Sequence, residues 1–262
     1  MNDDLNACAA LVERGDPVRF RAAMAAPVAA RRVLFPLYAF NLEVARAPWV
    51  TQEPLIARMR LQWWRDALAE IAEGGVVRRH EVVTPLALAI RAEDVPALDR
   101  LVAARDRDVE PADFANEAEV LDYLDATSTG LIAVAAHRLG GDALGAAVGD
   151  VAGSAGRALG LANWLMAVPV LEAAGRRPLP EGSDTAIAGL ARAGTVAWQE
   201  VRRAWRGVPN AAKPAFFPMA GAGMILRRAL RDPGLVRADG LEPGQLQARL
   251  RMAAMAVSGR LW

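Results

Sequence analysis

The chain has 262 residues, 53% of them hydrophobic and 23% charged, with a formal net charge of +1. That length and apolar content can bury a sizeable core and exclude long-range disorder, and the near-zero charge excludes a strong global field for nucleic acid or an anionic membrane. One cysteine, Cys8, excludes an internal disulfide framework and a thiolate-rich metal site, and two histidines, His80 and His137, leave little for a multi-histidine site.

Taken in order, nearly every segment has helical periodicity. Residues 17–46 fit a first long helix. In 51–73, Leu55, Ile56, Met59, Trp63 and Ala67 recur at spacings of three and four. Thr51 is placed to cap this helix, Glu53 to favour its positive end and Pro54 to occupy its first turn, with Gly74-Gly75 as the stop. Residues 85–106 read as another helix. The segment 117–139 turns Val120, Leu121, Leu124, Leu131, Ile132, Ala135 and Leu139 toward a core and ends at Gly140-Gly141. Residues 143–173 form a long helix rich in small side chains (Gly149, Gly153, Gly156, Gly160). Each glycine costs such a helix roughly 1 kcal/mol against alanine, so close approach of a neighbouring helix or room for a ligand is expected to compensate. Helices over 185–206 and 212–231 follow. Alternating strand patterns and a domain-dividing linker are absent, so the expectation is a single all-α domain spanning 1–262 with its core in about 8–230.

No stretch reaches the ~18 apolar residues of a membrane helix. Met1-Asn2-Asp3-Asp4 is acidic where a signal peptide is basic, so a cytoplasmic protein is expected, with peripheral contact at a membrane surface left open. Thirty arginines stand against one lysine, Lys213, dispersed along the chain. That excess reads as the composition of a GC-rich genome, and Arg202-Arg203 and Arg227-Arg228 read as solvated helix faces. Several chemical motifs fail on inspection. His80-Glu81 opens an H-E-x-x-H zinc pattern whose second histidine is Thr84. Gly221-Ala222-Gly223 lacks the third glycine and the strand of a dinucleotide fingerprint. Cys8 and His137 have no feature that marks them as a nucleophile and its base, and no basic stripe interleaved with aromatics supports nucleic-acid binding.

Two segments together carry a resemblance. The first is Arg31-Arg32-Val33-Leu34-Phe35-Pro36-Leu37-Tyr38-Ala39-Phe40-Asn41 with the later Gln62-Trp63-Trp64-Arg65; the second is Gly160-Leu161-Ala162-Asn163-Trp164-Leu165 with Gly175-Arg176-Arg177-Pro178-Leu179-Pro180. Between them lie Tyr123 and the turn from Thr127 to Gly130. In this order and spacing the chain resembles the squalene/phytoene synthase family over most of residues 8–230. The resemblance implies an isoprenoid-synthase-like helical bundle. It also implies a head-to-head prenyltransferase whose Mg2+ ions, held by two D-x-x-x-D motifs on facing helices, neutralise a departing diphosphate.

The chain departs from that pattern where the metal should bind. The aspartate positions of the first motif fall on Ala45 and Trp49, and those of the second on Ala167 and Leu171. Glu43 and Glu172 are the nearby carboxylates, and neither has a carboxylate partner at i±3 or i±4. Ala39-Phe40-Asn41-Leu42-Glu43-Val44-Ala45, Met59-Arg60-Leu61-Gln62-Trp63-Trp64 and Ala167-Val168-Pro169 are similar to the divergent branch that contains the mitochondrial complex I assembly factor 6 proteins, which also lacks the aspartates. In this reading Pro169 interrupts the helix meant for the second motif. The resemblance implies a non-catalytic protein with no metal and no cofactor. It helps assemble respiratory complex I (NADH:ubiquinone oxidoreductase), at or near the inner membrane, by binding complex I subunits or an isoprenoid in a vestigial cavity lined by Tyr38, Asn41, Asn163 and Trp164. The alternatives are an active Mg2+-dependent prenyltransferase with Glu43 and Glu172 as relocated ligands, or a stand-alone isoprenoid or lipid carrier.

Overall fold

A computed structural model describes residues 2–141, 146–180, 183–242 and 244–261. Among these residues there is no strand. The helices are α1 (Asn2–Gly15), α2 (Pro17–Ala25), α3 (Arg31–Arg46), α4 (Pro54–Glu73), α5 (Val83–Ala89), α6 (Val95–Ala104), α7 (Glu117–Leu124), α8 (Gly130–Gly140), α9 (Ala146–Ala173), α10 (Asp184–Ala204), α11 (Ala222–Arg231), the single turn α12 (Gly234–Arg237) and α13 (Gln245–Ser258). α9 is the axis of the bundle and packs against α8, α10 and α11, while α3 packs on α1, α5 and α8. The buried side chains form one hydrophobic cluster reaching from Cys8 to Met255.

Where the structure departs from the periodicity, local chemistry explains it. The expected helix over 17–46 is two helices, because Pro27 forces Ala26 into an extended conformation (φ −77°, ψ 157°). The helix over 85–106 is likewise broken at Ile90, and the buried Asp94 accepts the Arg91 N–H at 2.8 Å in the turn before α6. The segment 212–231 begins as a 3-10 helix over Lys213–Gly221, with Pro214 and Pro218 unable to donate to an α-helical ladder. α7 and α8 are joined by a π-helical turn over Asp125–Thr129, an inserted residue that the sequence pattern does not reveal. α1 and α13 were not expected as helices at all.

Two smaller expectations are also corrected. The N-cap of α4 is Glu53, and Thr51 acts one step earlier by accepting the Glu53 N–H at 3.1 Å. Pro169 does not interrupt α9, which continues to Ala173. Leu161, Leu165 and Val168 are fully buried around the proline, and their packing offsets the ~3 kcal/mol that a proline costs inside a helix. The glycines of α9 divide into two sets. A Cβ on Gly156 would lie 2.5 Å from the Thr129 Cα, and one on Gly160 would lie 2.8 Å from Ser128 Oγ, so these two admit the π turn against α9. Gly149 and Gly153 face open space.

Candidate functional site: a cavity between two facing helices

α3 and α9 face one another across a cavity of about 560 Å3. Each contributes residues at i, i+4 and i+8, the spacing that keeps side chains on one helix face. Asn41, Ala45 and Trp49 come from α3 and the turn after it; Asn163, Ala167 and Leu171 come from α9. The four positions to which the resemblance assigns metal-binding aspartates therefore converge on one space. Trp164 also lines it, and its indole Nε1 donates to the Pro178 carbonyl at 3.0 Å. Tyr38 sits behind this wall: it is buried, it does not line the cavity, and its hydroxyl has no hydrogen-bond partner.

The chain leaving α9 turns back over the opening. Gly175 takes a left-handed φ of 77°, which suits a residue without Cβ, and the Arg176 N–H reaches back to the Leu171 carbonyl at 3.0 Å. That turn lays the Arg176 guanidinium on Trp49, 3.8 Å from the ring centroid. Arg177 pairs with Asp113 at 3.0 Å. On the opposite wall Arg105 donates to the Tyr123 oxygen at 2.7 Å, and the Tyr123 hydroxyl donates to Asp108, also at 2.7 Å. Burial pushes the Tyr123 phenol upward, so it stays protonated and can act as that donor. Phe114, Tyr123 and Trp164 pack ring to ring at 5.5–5.9 Å and make the apolar wall. Arg107 stacks on Phe114 at 4.0 Å from its centroid and pairs with Glu119 at 3.3 Å. Of this wall the sequence marks Tyr123 and Trp164, and it leaves Arg105, Arg107, Asp108 and Phe114 unmarked. The alternating charges of 105–108 were the available signal, but nothing in them points to a residue fifteen positions later.

These residues do not fit a divalent cation. Mg2+ needs several oxygen ligands, and the four facing positions are an alanine, a tryptophan, an alanine and a leucine. The carboxylates that do line the cavity are engaged: Asp16 with Arg19 at 2.5 Å, Asp108 with Arg105 at 3.2 Å, and Asp113 with Arg177. Glu43 lies outside this cavity, in a neighbouring groove with Val50, Ile56 and Met59, and pairs with Arg46 at 3.7 Å. Glu172 turns toward α12 and pairs with Arg237 at 3.5 Å. The structure does not bring these two glutamates together in the cavity.

The remaining reactive side chains are structural. The Cys8 thiol is buried against the Glu81 carbonyl, and burial pushes its pKa up to about 12. His80 accepts the Val82 N–H at 3.1 Å while Thr84 accepts the His80 N–H at 3.2 Å, so the Thr84 that spoils the zinc pattern closes a turn. His137 lies 3.7 Å from Asp94, which is also held by Arg138 at 3.0 Å. Gly223, in the failed dinucleotide motif, admits the Trp198 ring, which a Cβ there would meet at 2.3 Å.

The architecture matches known folds across nearly its whole length. A crystal structure of a dehydrosqualene synthase in complex with ligand superposes with a TM-score of 0.77 at 14% identity, covering 98% of this chain and 96% of that one. Squalene synthase HpnC from Alicyclobacillus acidocaldarius superposes with a TM-score of 0.74 at 18% identity, covering 87% and 93%. The molecule is thus an isoprenoid-synthase-like helical bundle, and the positions Ala45, Trp49, Ala167 and Leu171 that face its cavity carry no carboxylate. Residues 12–208 match the squalene/phytoene synthase family model, and the chain belongs to that family. It is also 32% identical over 180 residues to a Drosophila melanogaster protein described as a homolog of NADH dehydrogenase (ubiquinone) complex I assembly factor 6. That match takes in 66% of this chain and 52% of the relative, so the chain spans about half the length of the curated relative it matches.

Proposed function

We propose that this chain acts by binding and not by prenyl transfer, and that it assists the assembly of respiratory complex I. The observation that carries the reading is the cavity itself. Ala45, Trp49, Ala167 and Leu171 line it together, and Arg176 holds a guanidinium over Trp49, a position the resemblance assigns to a metal ligand. A chain under no constraint to keep a cavity could have filled it once the ligands were gone; here the aromatic wall and the opening persist. The cavity takes an isoprenoid or an apolar segment of a partner subunit, at the inner face of the membrane that houses the complex. The likeness to an assembly factor 6 homolog supports this choice of partner.

Deleting the gene and measuring NADH:quinone activity and complex I abundance in membranes tests the assembly role. Both are expected to fall, and unchanged values overturn it. Incubating the purified chain with farnesyl diphosphate and Mg2+ tests the absence of catalysis. No pyrophosphate release is expected, and sustained turnover overturns the binding reading.

A further inference from the structure

The net charge of +1 hides a strong internal asymmetry. Residues 183–262 carry twelve basic and five acidic side chains, against nineteen basic and twenty-five acidic before them. Much of the excess is exposed. Arg202 and Arg203 end α10, Arg206 follows in the 3-10 turn Trp205–Gly207, Arg227 and Arg231 lie on α11, and Arg249 lies on α13. Among the described residues none of these six is in an ion pair. Burial, with the charges of Arg251 on α13 and Arg202 on α10 adding to it, pushes the Arg227 pKa down, so one arginine from each of three helices acts on the others.

α13 adds an apolar element. Met252 and Met255 anchor one face of it in the core, while Leu246, Leu250 and Val257 on the other face are 71%, 60% and 90% exposed. Together with exposed Ala253 they recur at spacings of four, three and four, a continuous stripe along one side of the helix. Exposed Arg249 lies within the helix and exposed Arg260 just past its end. No helix among the described residues is long and apolar enough to cross a membrane.

We propose that α13, with the arginines of α10 and α11 beside it, docks peripherally on an anionic phospholipid surface, its stripe in the acyl-chain boundary and its guanidinium groups at the phosphates. Apolar stripe and cationic flank are the two elements such a helix uses. A second copy of this chain fits less well, because a two-fold contact would set unpaired arginines against one another. A nucleic acid would answer the charge but leave the stripe uncovered, and the aromatic rings of α10 and the two 3-10 helices after it, Trp205–Gly207 and Lys213–Gly221 (Trp198, Trp205, Phe216 and Phe217), are buried and unable to stack on bases.

Flotation of the purified full chain with vesicles of phosphatidylcholine, alone or mixed with phosphatidylglycerol, tests the proposal. Binding is expected only to the anionic vesicles and is expected to weaken with salt. Leu250→Ser combined with Val257→Ser, and separately Arg202→Gln combined with Arg231→Gln, are each expected to weaken it about tenfold or more. Leu88→Ser, at an equally exposed apolar site on α5, is expected to leave it unchanged, and thermal melting verifies that each variant is folded. No binding to anionic vesicles, or binding retained by both double variants, overturns the proposal. So does a dimer in ultracentrifugation that the stripe variant dissolves, or a preference for a DNA duplex over the vesicles. The assay uses the isolated chain without complex I, so its failure leaves the assembly reading standing, and failure of the assembly assays leaves this inference standing.

Discussion

Arginine plays opposite parts at the cavity and on the basic face. Around the cavity Arg19, Arg105, Arg107 and Arg177 each meet a carboxylate, and the exception, Arg176, rests on an indole. On α10, α11 and α13, Arg202, Arg227 and Arg251 act on one another as like charges, and among the described residues none of the three is in an ion pair with a carboxylate. Genome composition accounts for how many arginines the chain has, but it does not account for where the carboxylates are withheld. The difference teaches that a near-zero net charge can be the sum of a neutralised region and a polarised one, and that only the second can act on a charged partner at a distance.

The largest effect should come from breaking a buried pair. Asp94 is 3% exposed and the Arg138 side chain 7%, so Asp94→Ala leaves a buried guanidinium with only the exposed Glu93. A loss of about 3–5 kcal/mol is expected in denaturant unfolding, and a loss below ~1 kcal/mol would show that Glu93 alone suffices for Arg138. Next, Gly156→Ala forces α9 away from the π turn and should cost about 1–3 kcal/mol. A neutral result would mean that the turn relaxes freely. Asp16→Ala removes both an N-cap bond to the Arg19 N–H at 2.9 Å and an ion pair, for about 1 kcal/mol in thermal melting. The smallest effect belongs to the polarised side. Arg203→Ala should change stability by less than ~0.5 kcal/mol, with any gain greatest at low salt, where relief of like-charge repulsion is least screened. A clear destabilisation would reveal a partner for Arg203 and erase the contrast.

How much of this was legible from residues alone varies with the range of the interaction. Helix existence was readable because periodicity is local: α4, α9 and α10 fall within a few residues of expectation. Pro27 was a visible breaker that the long pattern over 17–46 concealed, whereas Pro169 suggested a break that tertiary packing overrode. The four replaced aspartate positions could be placed through the resemblance, and the structure brings them onto one cavity. Tyr38, expected beside them, faces the core. The Arg105–Tyr123–Asp108 set escaped detection because it joins residues from separate elements, and the basic face escaped because dispersion along a chain says nothing about convergence in space. Charge counted by segment would have hinted at the second; nothing comparable was available for the first.

The stacking of Arg176 on Trp49 has a consequence for how this site relates to its surroundings. A bound ion is borrowed from the medium: its occupancy follows supply, competes with other chelators and can be stripped. A guanidinium is encoded, is always protonated under physiological conditions, and is renewed with each translation of the gene. The positive charge at this opening therefore belongs to the polypeptide itself, and neither magnesium starvation nor a chelating wash can switch it off.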